Sequence, residues 1–174
     1  MKIRLAKKEE LPRLMELYDA ARAFMRRRGN MVQWVGGYPS RELVAVGIDA
    51  GEQWVCVVDD RVVVTFWFAV GPDLTYAEIW EGDDRLGPAG AWLDDEGVPY
   101  GVVHRLASDG SVRGVGAFCL EWCLERCGNI RVDTHACNAV MQSLLARLGY
   151  TRCGVIYLPD GSPRDAFQKL KVEN

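Results

Sequence analysis

The segment from His104 to Ala117 reads HRLASDGSVRGVGA, and its pattern indicates the fold of the chain. A strand runs into a glycine-containing loop, and the loop opens a helix. Backbone N–H groups at such a junction have no internal partner and lie at the positive end of the helix dipole, where they can bind an anion. Gly114 and Gly116 would let the backbone approach a phosphate closely, and Arg113 adds a cation. A purely structural turn is the alternative.

Outward from this segment, apolar periodicity and turn residues predict a sequence of short strands and helices. The strands are expected at residues 2–6, 54–58, 61–70, 76–80, 98–107, 130–134, 150–158 and 165–170. The helices are expected at residues 9–28, 40–51, 117–126 and 138–148, and Ser40 is a plausible N-cap of the second. Asp59-Asp60, between the strands at 54–58 and 61–70, predicts a β-hairpin. This order predicts an α/β (α+β) fold in which a mixed, mostly antiparallel sheet of about six to seven strands is flanked by about four helices.

Length and charge restrict the class of protein. The chain has 174 residues, of which 49% are hydrophobic and 26% charged, so we expect one globular domain over residues 1–174. The net charge of −3 argues against a basic surface that binds nucleic acid. The charged N-terminal stretch is not typical of a secretory signal, and the longest apolar run, residues 62–70, is too short for a membrane span. We therefore expect a cytoplasmic protein without a membrane partner.

Two motifs resemble those of the GNAT N-acetyltransferase superfamily. Ser111-Val-Arg-Gly114-Val-Gly116 is similar to its acyl-CoA-binding motif, (Gln/Arg)-x-x-Gly-x-(Gly/Ala), and Asn138-x-x-Met141 followed by Leu148-Gly149-Tyr150 resembles its Asn-x-x-Ala…Gly-Phe segment. The resemblance covers nearly the whole chain. It implies an acyl-CoA cleft where two adjacent parallel strands splay apart, here residues 98–107 and 130–134.

The same resemblance implies which residues bind acetyl-CoA as co-substrate. Backbone groups near Leu106 and Ala107 would hydrogen-bond the pantetheine arm, and Asn138 would contact the arm or serve as an ordinary N-cap, or both. Backbone amides would hold the pyrophosphate, and these belong to Val112, Arg113, Gly114, Val115, Gly116 and Ala117. Ser111, at the first motif position, is included among the cofactor-binding residues.

Two positions depart from the family pattern. Ser111 stands where the family usually has Gln or Arg, so either Arg113 supplies the polar contact or the loop is shortened and registered differently. Leu145 stands where many members carry a tyrosine that protonates the leaving thiolate. That acid must come from elsewhere or be dispensable.

Acyl transfer to an amine needs a group that accepts the amine proton. His104 and His135 are the two histidines of the chain, and the ordinary pKa of histidine suits this task. Tyr100 is a second-tier candidate, because it falls roughly where some relatives place a glutamate base. The alternative for each histidine is a structural role, as a partly buried side chain whose hydrogen bonds are made within the protein.

The six cysteines are interpreted as free thiols with a packing role. Cys119, Cys123 and Cys127 recur every four residues on one predicted helix, which raises a zinc or nucleophile alternative. The outer two sulfurs would lie roughly 12 Å apart, too far for one zinc ion with metal–sulfur bonds near 2.3 Å. A stripe packed on the sheet is favoured, and we expect no metal.

Candidate acceptor-binding residues lie between the first two helices. Trp34 and Tyr38 are unusual for a Gly- and Pro-containing loop, and they either line an acceptor pocket or act as buried anchors. Arg26, Arg27 and Arg28 either cap the first helix or recognise an anionic group of the acceptor.

These observations predict an N-acetyltransferase that moves an acetyl group from acetyl-CoA to a primary amine by direct nucleophilic attack. The acceptor would be a small molecule or a peptide, and a homodimer is left open. A non-catalytic acyl-CoA sensor of the same fold is the first alternative, and a thiol- or metal-dependent protein is the second.

Overall fold

A computed structural model describes residues 1–172 and contains one open, mixed sheet of seven strands together with four α-helices. The strand order is β1-β2-β3-β4-β5-β7-β6. The strands are β1 Lys2–Leu5, β2 Gln53–Val58, β3 Arg61–Val70, β4 Gly101–Ser108, β5 Asn129–Thr134, β6 Thr151–Tyr157 and β7 Pro163–Leu170. The helices are α1 Leu11–Arg27, α2 Arg41–Asp49, α3 Val115–Cys127 and α4 Ala139–Arg147. The predicted α/β fold class is confirmed.

One predicted strand, at residues 76–80, is wrong. Leu74–Tyr76 form a short 3-10 helix, and the Asp73 side chain caps it by accepting from Thr75 N at 2.9 Å. Trp80 makes isolated bridges, one of them to Val155, in place of a strand ladder. Capping by a short polar side chain competes with strand pairing and starts a helical turn here.

Most element boundaries differ from the prediction by one to three residues, and two of these differences concern the strand and the helix that flank the glycine loop. β4 begins at Gly101 instead of residue 98, because Pro99 has no N–H group to donate to a ladder. Helix α3 begins at Val115, two residues earlier than expected, so Val115 and Gly116 are helical.

The chain forms two compact units. The first comprises Met1–Ala69 and Val103–Glu121, and the second comprises Val70–Val102 and the chain from Trp122 onward. The expectation of a single domain over residues 1–174 stays a prediction.

The core of the first unit is built by α1, α2 and the strands beside them. Leu14 and Leu17 of α1, Val44 of α2 and Val55 of β2 are fully buried in one cluster. Each such side chain contributes about 1.5–3 kcal/mol through burial. Ser40 caps α2 by accepting from Leu43 N at 3.1 Å, as the sequence predicts.

The β2–β3 hairpin of the first unit turns at Asp59 and Asp60. Both residues have positive φ, 47° and 58°, as a two-residue type I′ turn requires. The predicted hairpin is therefore confirmed.

In the second unit, β7 pairs antiparallel with both β5 and β6. The parallel pairing of β4 with β5 joins Gly101 to Ile130 and Val102 to Arg131. Leu145 of α4 is fully buried.

A buried polar network fixes the segment that precedes β4. The Arg131 guanidinium lies 2.7 Å from Asp94 Oδ1, with 7% and 8% of the two side chains exposed, and it stacks against the rings of Trp92 and Tyr100. Gln168 Nε2 also donates to Asp94, at 2.7 Å. Burial raises the pKa of Asp94, but hydrogen bonds from Gln168, Arg131 and Asn129 outweigh this effect and lower it. The carboxylate therefore stays ionised inside the unit.

No helix within residues 1–172 combines the length and apolar character needed to cross a membrane.

Candidate functional site

The loop between β4 and α3 has the backbone geometry of an anion site. Gly114 has φ +75°, and no atom lies within 4 Å of the position that a Cβ would occupy. Phe118 N donates the first bond of α3, to Gly114 O at 3.0 Å. The amides of residues 115–117 precede that bond, so they have no intrahelical acceptor and lie at the positive end of the helix dipole. An anionic group can approach this junction without meeting a side chain at Gly114.

Asp109 holds this loop in shape. Its Oδ1 accepts from Ser111 N at 2.9 Å and from Ser111 Oγ at 2.6 Å, and its Oδ2 accepts from Arg13 Nη2 at 2.6 Å. Arg13 in turn donates from Nε to Val62 O at 3.1 Å, which ties the loop to α1 and β3. Burial raises the pKa of Asp109, but the bonds from Ser111 and Arg13 outweigh burial and lower it.

The role of Ser111 differs from the one expected at the first motif position. Both its N–H and its hydroxyl donate to Asp109, so this residue shapes the loop and has no polar hydrogen left for a phosphate. Arg113 has an exposed side chain, and its contact with a cofactor stays a prediction.

Leu106 and Ala107 lie on β4, as predicted. Leu106 is half-buried, and Ala107 is buried in the core cluster of the first unit. The contacts of their backbone groups with a pantetheine arm stay a prediction.

Arg105, also on β4, has a backbone conformation that is rare inside a strand. Its φ is +54°, in the left-handed region, which costs a residue with a side chain about 1–2 kcal/mol. Successive side chains of a strand normally point to opposite faces. Here His104 stacks on Trp67, with centroids 5.5 Å apart, and the Arg105 guanidinium lies 5.9 Å from the centroid of the same ring. The left-handed residue thus brings two consecutive side chains onto one aromatic ring.

Trp34 and Tyr38 belong to an aromatic cluster in the first unit. Trp34 packs edge-on against Tyr18 at 5.7 Å and lies 6.4 Å from Tyr38. Tyr38 is 42% exposed, whereas Tyr18 is fully buried, and burial raises the pKa of Tyr18 to about 12. The cluster therefore combines an anchor with an accessible ring, and the acceptor-binding role of Trp34 and Tyr38 stays a prediction.

Arg26 has a structural role in this loop. Its guanidinium donates to the carbonyls of Asn30, Gln33 and Trp34 at 2.7–3.1 Å. It therefore closes the C-terminal end of α1 and orders the chain up to Trp34, which supports capping rather than acceptor recognition.

The second unit contains the other predicted residues. Tyr100 OH accepts from Asp73 N at 3.1 Å and its ring stacks on Arg131, so its contacts are those of a packed side chain. Asn138 caps α4 by accepting from Met141 N at 3.2 Å, which confirms the N-cap interpretation.

His135 is half-buried at the end of β5. Its Nδ1 accepts from Cys137 N at 3.1 Å, an arrangement that places the proton of the neutral ring on Nε2. Burial, followed by the charge of Arg164, lowers the pKa of His135. The ring is therefore neutral near pH 7, with its acceptor nitrogen already engaged.

The cysteine stripe is a packing feature. Cys119 and Cys123 are fully buried and Cys127 is half-buried, and all six cysteines are free thiols. Burial raises the pKa of Cys123 and of Cys127. Within residues 1–172 no group of three or more His, Cys, Asp or Glu side chains is arranged to hold a metal ion.

Comparison with solved structures identifies the family. The chain is similar to a GNAT-family acetyltransferase from Streptococcus agalactiae, with 33% identity, a TM-score of 0.86, and coverage of 99% of this chain and 96% of that one. The chain belongs to the GNAT family of acetyltransferases. No protein-family model matches it, and neither does any protein with a curated description.

More distant acetyltransferase structures share the fold. An acetyltransferase of the family from Listeria monocytogenes has 15% identity and a TM-score of 0.67, and covers 97% of this chain and 94% of that one. A ribosomal-protein-alanine N-acetyltransferase from Brucella melitensis has 16% identity and a TM-score of 0.60, with coverage of 98% and 99%.

Three features of the site were missed by the sequence analysis. They are the Arg13–Asp109 pair, the buried Tyr18 and the left-handed Arg105. The Asp-Gly-Ser pattern at residues 109–111 is typical of an Asx turn and could have revealed the role of Asp109. Nothing in the local sequence signals the conformation of Arg105, because arginine is not among the residues that favour the left-handed region.

Proposed function

We propose that this GNAT protein transfers an acetyl group from acetyl-CoA to a primary amine. The observation that supports this most is the 33% identity to a GNAT acetyltransferase over 99% of the chain, together with the junction of loop and helix at Gly114. In this reaction the amine nitrogen attacks the thioester carbonyl, the carbon–sulfur bond breaks, and CoA leaves as the thiolate. A base or water chain takes the amine proton.

The residues of the first unit fit the anionic part of acetyl-CoA. The amides of residues 112–117 would hold the pyrophosphate, since an open Gly114 and an α-helix start suit a phosphate. Asp109 would act through Ser111, by keeping the loop in the shape that presents these amides. Leu106 and Ala107 would contribute backbone groups to the pantetheine arm.

The two histidines are unequal candidates for the base. His135 already accepts a hydrogen bond at Nδ1, so its neutral tautomer carries the proton at Nε2 and cannot accept another there. His104 is held by stacking on Trp67. We propose His104, directly or through an ordered water, as the group that takes the amine proton.

A non-catalytic acyl-CoA sensor remains the alternative function, and one observation favours it. Leu145, at the position where many family members carry a tyrosine acid, is fully buried and apolar. The departing thiolate would then have to gain its proton from another group or from solvent.

The test combines binding and turnover. Acetyl-CoA is titrated by calorimetry, and the protein is then incubated with acetyl-CoA and a broad panel of primary amines. Free CoA is detected by chromatography, because six protein thiols would react with a thiol dye. Binding with amine-dependent CoA release supports the transferase, binding without release across the panel indicates the sensor, and absence of binding contradicts both.

A further inference from the structure

Arg105 presents a cation that lies over the Trp67 ring but has no hydrogen-bond or ion-pair partner among the described residues. Its Nε is buried and has no hydrogen-bond partner, and no ion pair within residues 1–172 includes its side chain. A guanidinium N–H removed from water ordinarily donates to a carboxylate or carbonyl oxygen in return, and the rest of the Arg105 side chain is only half-buried. The left-handed φ of +54° adds a conformational cost to this unpaired arrangement. Such a combination points to a ligand that supplies the missing acceptor.

The groups around Arg105 leave its charge uncompensated. Trp67, the ring beside the guanidinium, donates from Nε1 to Glu52 Oε2 at 3.0 Å. The Glu52 carboxylate is therefore hydrogen-bonded to the indole and not to Arg105. The positive charge of Arg105 counteracts the effect of burial on the pKa of Tyr18. The Tyr18 OH accepts from Gln53 Nε2 at 3.0 Å. Neither neighbour supplies Arg105 with an anion.

Aromatic rings connect the buried Tyr18 with the loop that follows α1. Tyr18 packs against Trp34, and Trp34 against the exposed Tyr38. Trp67, the ring beside Arg105, carries the stacked His104. One unit of the structure therefore combines an unpaired cation, a candidate base and accessible aromatic surface.

We propose that Arg105 binds the carboxylate of the acceptor, so that the substrates of this enzyme are amines that carry a carboxylate, such as amino acids or short peptides. The planar guanidinium suits a carboxylate because it can donate two parallel hydrogen bonds. The exposed ring of Tyr38 would pack on the rest of the acceptor. This inference rests on the proposed N-acetyltransferase function and defines its substrate class.

The test uses matched acceptors that differ in one group. Phenylalanine, phenylalaninamide and 2-phenylethylamine are compared by kcat/KM, with acetyl-CoA saturating and CoA measured by chromatography. The wild-type enzyme is expected to prefer phenylalanine by about tenfold or more, as a charged hydrogen-bonded contact predicts. In Arg105→Gln the ratio of kcat/KM for phenylalanine to kcat/KM for 2-phenylethylamine should fall to about one, while the affinity for acetyl-CoA is retained.

Arg105→Lys and Arg41→Gln are the companion variants. Lysine keeps the charge but loses the paired donors, so an intermediate preference is expected. Arg41 is an exposed arginine of α2, and its replacement should leave the preference unchanged. Thermal melting confirms that each variant is folded. If Arg105→Gln does not fold, the wild-type enzyme is compared with Arg105→Lys instead.

Each outcome bears on one of the two proposals. Equal use of the three acceptors by the wild-type enzyme, or a preference that survives in both Arg105 variants, would overturn the role of Arg105 and leave the transferase proposal standing. Loss of acetyl-CoA binding in the Arg105 variants would assign the residue to the co-substrate instead and would also overturn the inference. CoA release with no amine at all would overturn the transferase proposal and, with it, the substrate class.

Discussion

At the scale of single residues, the proposed phosphate site depends on positions where the backbone rather than a side chain does the binding. Gly114 combines a left-handed φ with open space at the position of a Cβ. Ser111, the position where the family usually places a long polar side chain, is turned inward to Asp109. A backbone site of this kind should therefore be sensitive to charge at Gly114.

Replacement of Gly114 by Asp or by Asn separates charge from backbone strain. Both residues tolerate the left-handed region better than most and have nearly the same shape, so they share the conformational cost. Gly114→Asp should bind acetyl-CoA about tenfold more weakly than Gly114→Asn, since a like-charge repulsion of ~1.4 kcal/mol corresponds to that factor. Calorimetric titration measures the two dissociation constants, and equal values would contradict a phosphate site at this loop.

At the scale of elements, the helices differ in the groups that hold their first turn. α2 begins at a Ser40 cap and α4 at an Asn138 cap, whereas α3 begins at a glycine loop held from outside by Arg13 and Asp109. The cap of α4 is also the residue for which the family resemblance implies a contact with acetyl-CoA. The capping role and the proposed contact with acetyl-CoA predict different effects when Asn138 is replaced.

Asn138→Ala and Asn138→Ser distinguish capping from cofactor contact. Alanine removes the cap and should lower the free energy of unfolding by about 1 kcal/mol, whereas serine keeps a capping oxygen and should preserve stability. If the amide also contacts acetyl-CoA, Asn138→Ser should weaken binding although its denaturation midpoint is unchanged. Urea denaturation and calorimetry measure the two effects, and unchanged affinity in the stable serine variant would limit Asn138 to capping.

At the scale of the whole molecule, the titration of the half-buried His135 couples stability to pH. The pKa of His135 is lowered, first by burial and then by Arg164. The folded state thus binds a proton less readily than the unfolded chain, whose histidine titrates near the ordinary value of 6.5. The contribution of His135 is complete above that value and is lost as the pH falls through the lower pKa of the folded state.

His135→Gln should therefore flatten the acid side of the stability profile. The wild-type protein should lose free energy of unfolding between pH 7.5 and pH 5, and the variant, which has no titrating ring at this position, should lose less. Urea denaturation at both pH values gives the difference, with His104→Gln as the comparison. An identical loss in wild type and His135→Gln would show that His135 does not couple to stability.

Local patterns in the sequence were sufficient for the features that depend on neighbouring residues. The periodicity of α1, the hairpin at Asp59 and Asp60 and the cap at Ser40 agree with the structure because each is decided within a few residues of chain. The glycine loop before α3 and the GNAT family could be inferred for the same reason. The predicted strand at residues 76–80 was wrong, because a cap at Asp73 competed with the pattern of apolar residues.

Only the tertiary structure decided which polar side chains have hydrogen-bond or ion-pair partners and which do not. Asp109 and Arg13 are 96 residues apart in the chain, yet they form one hydrogen-bonded pair. The Ser111 hydroxyl could equally have faced a phosphate, and the unpaired state of Arg105 depends on a strand conformation that no short sequence pattern encodes. The sequence by itself thus determined the family and the position of the glycine loop before α3. Long-range packing decided the placement of the charges, because an ion pair or an unpaired cation depends on residues that are distant in the chain.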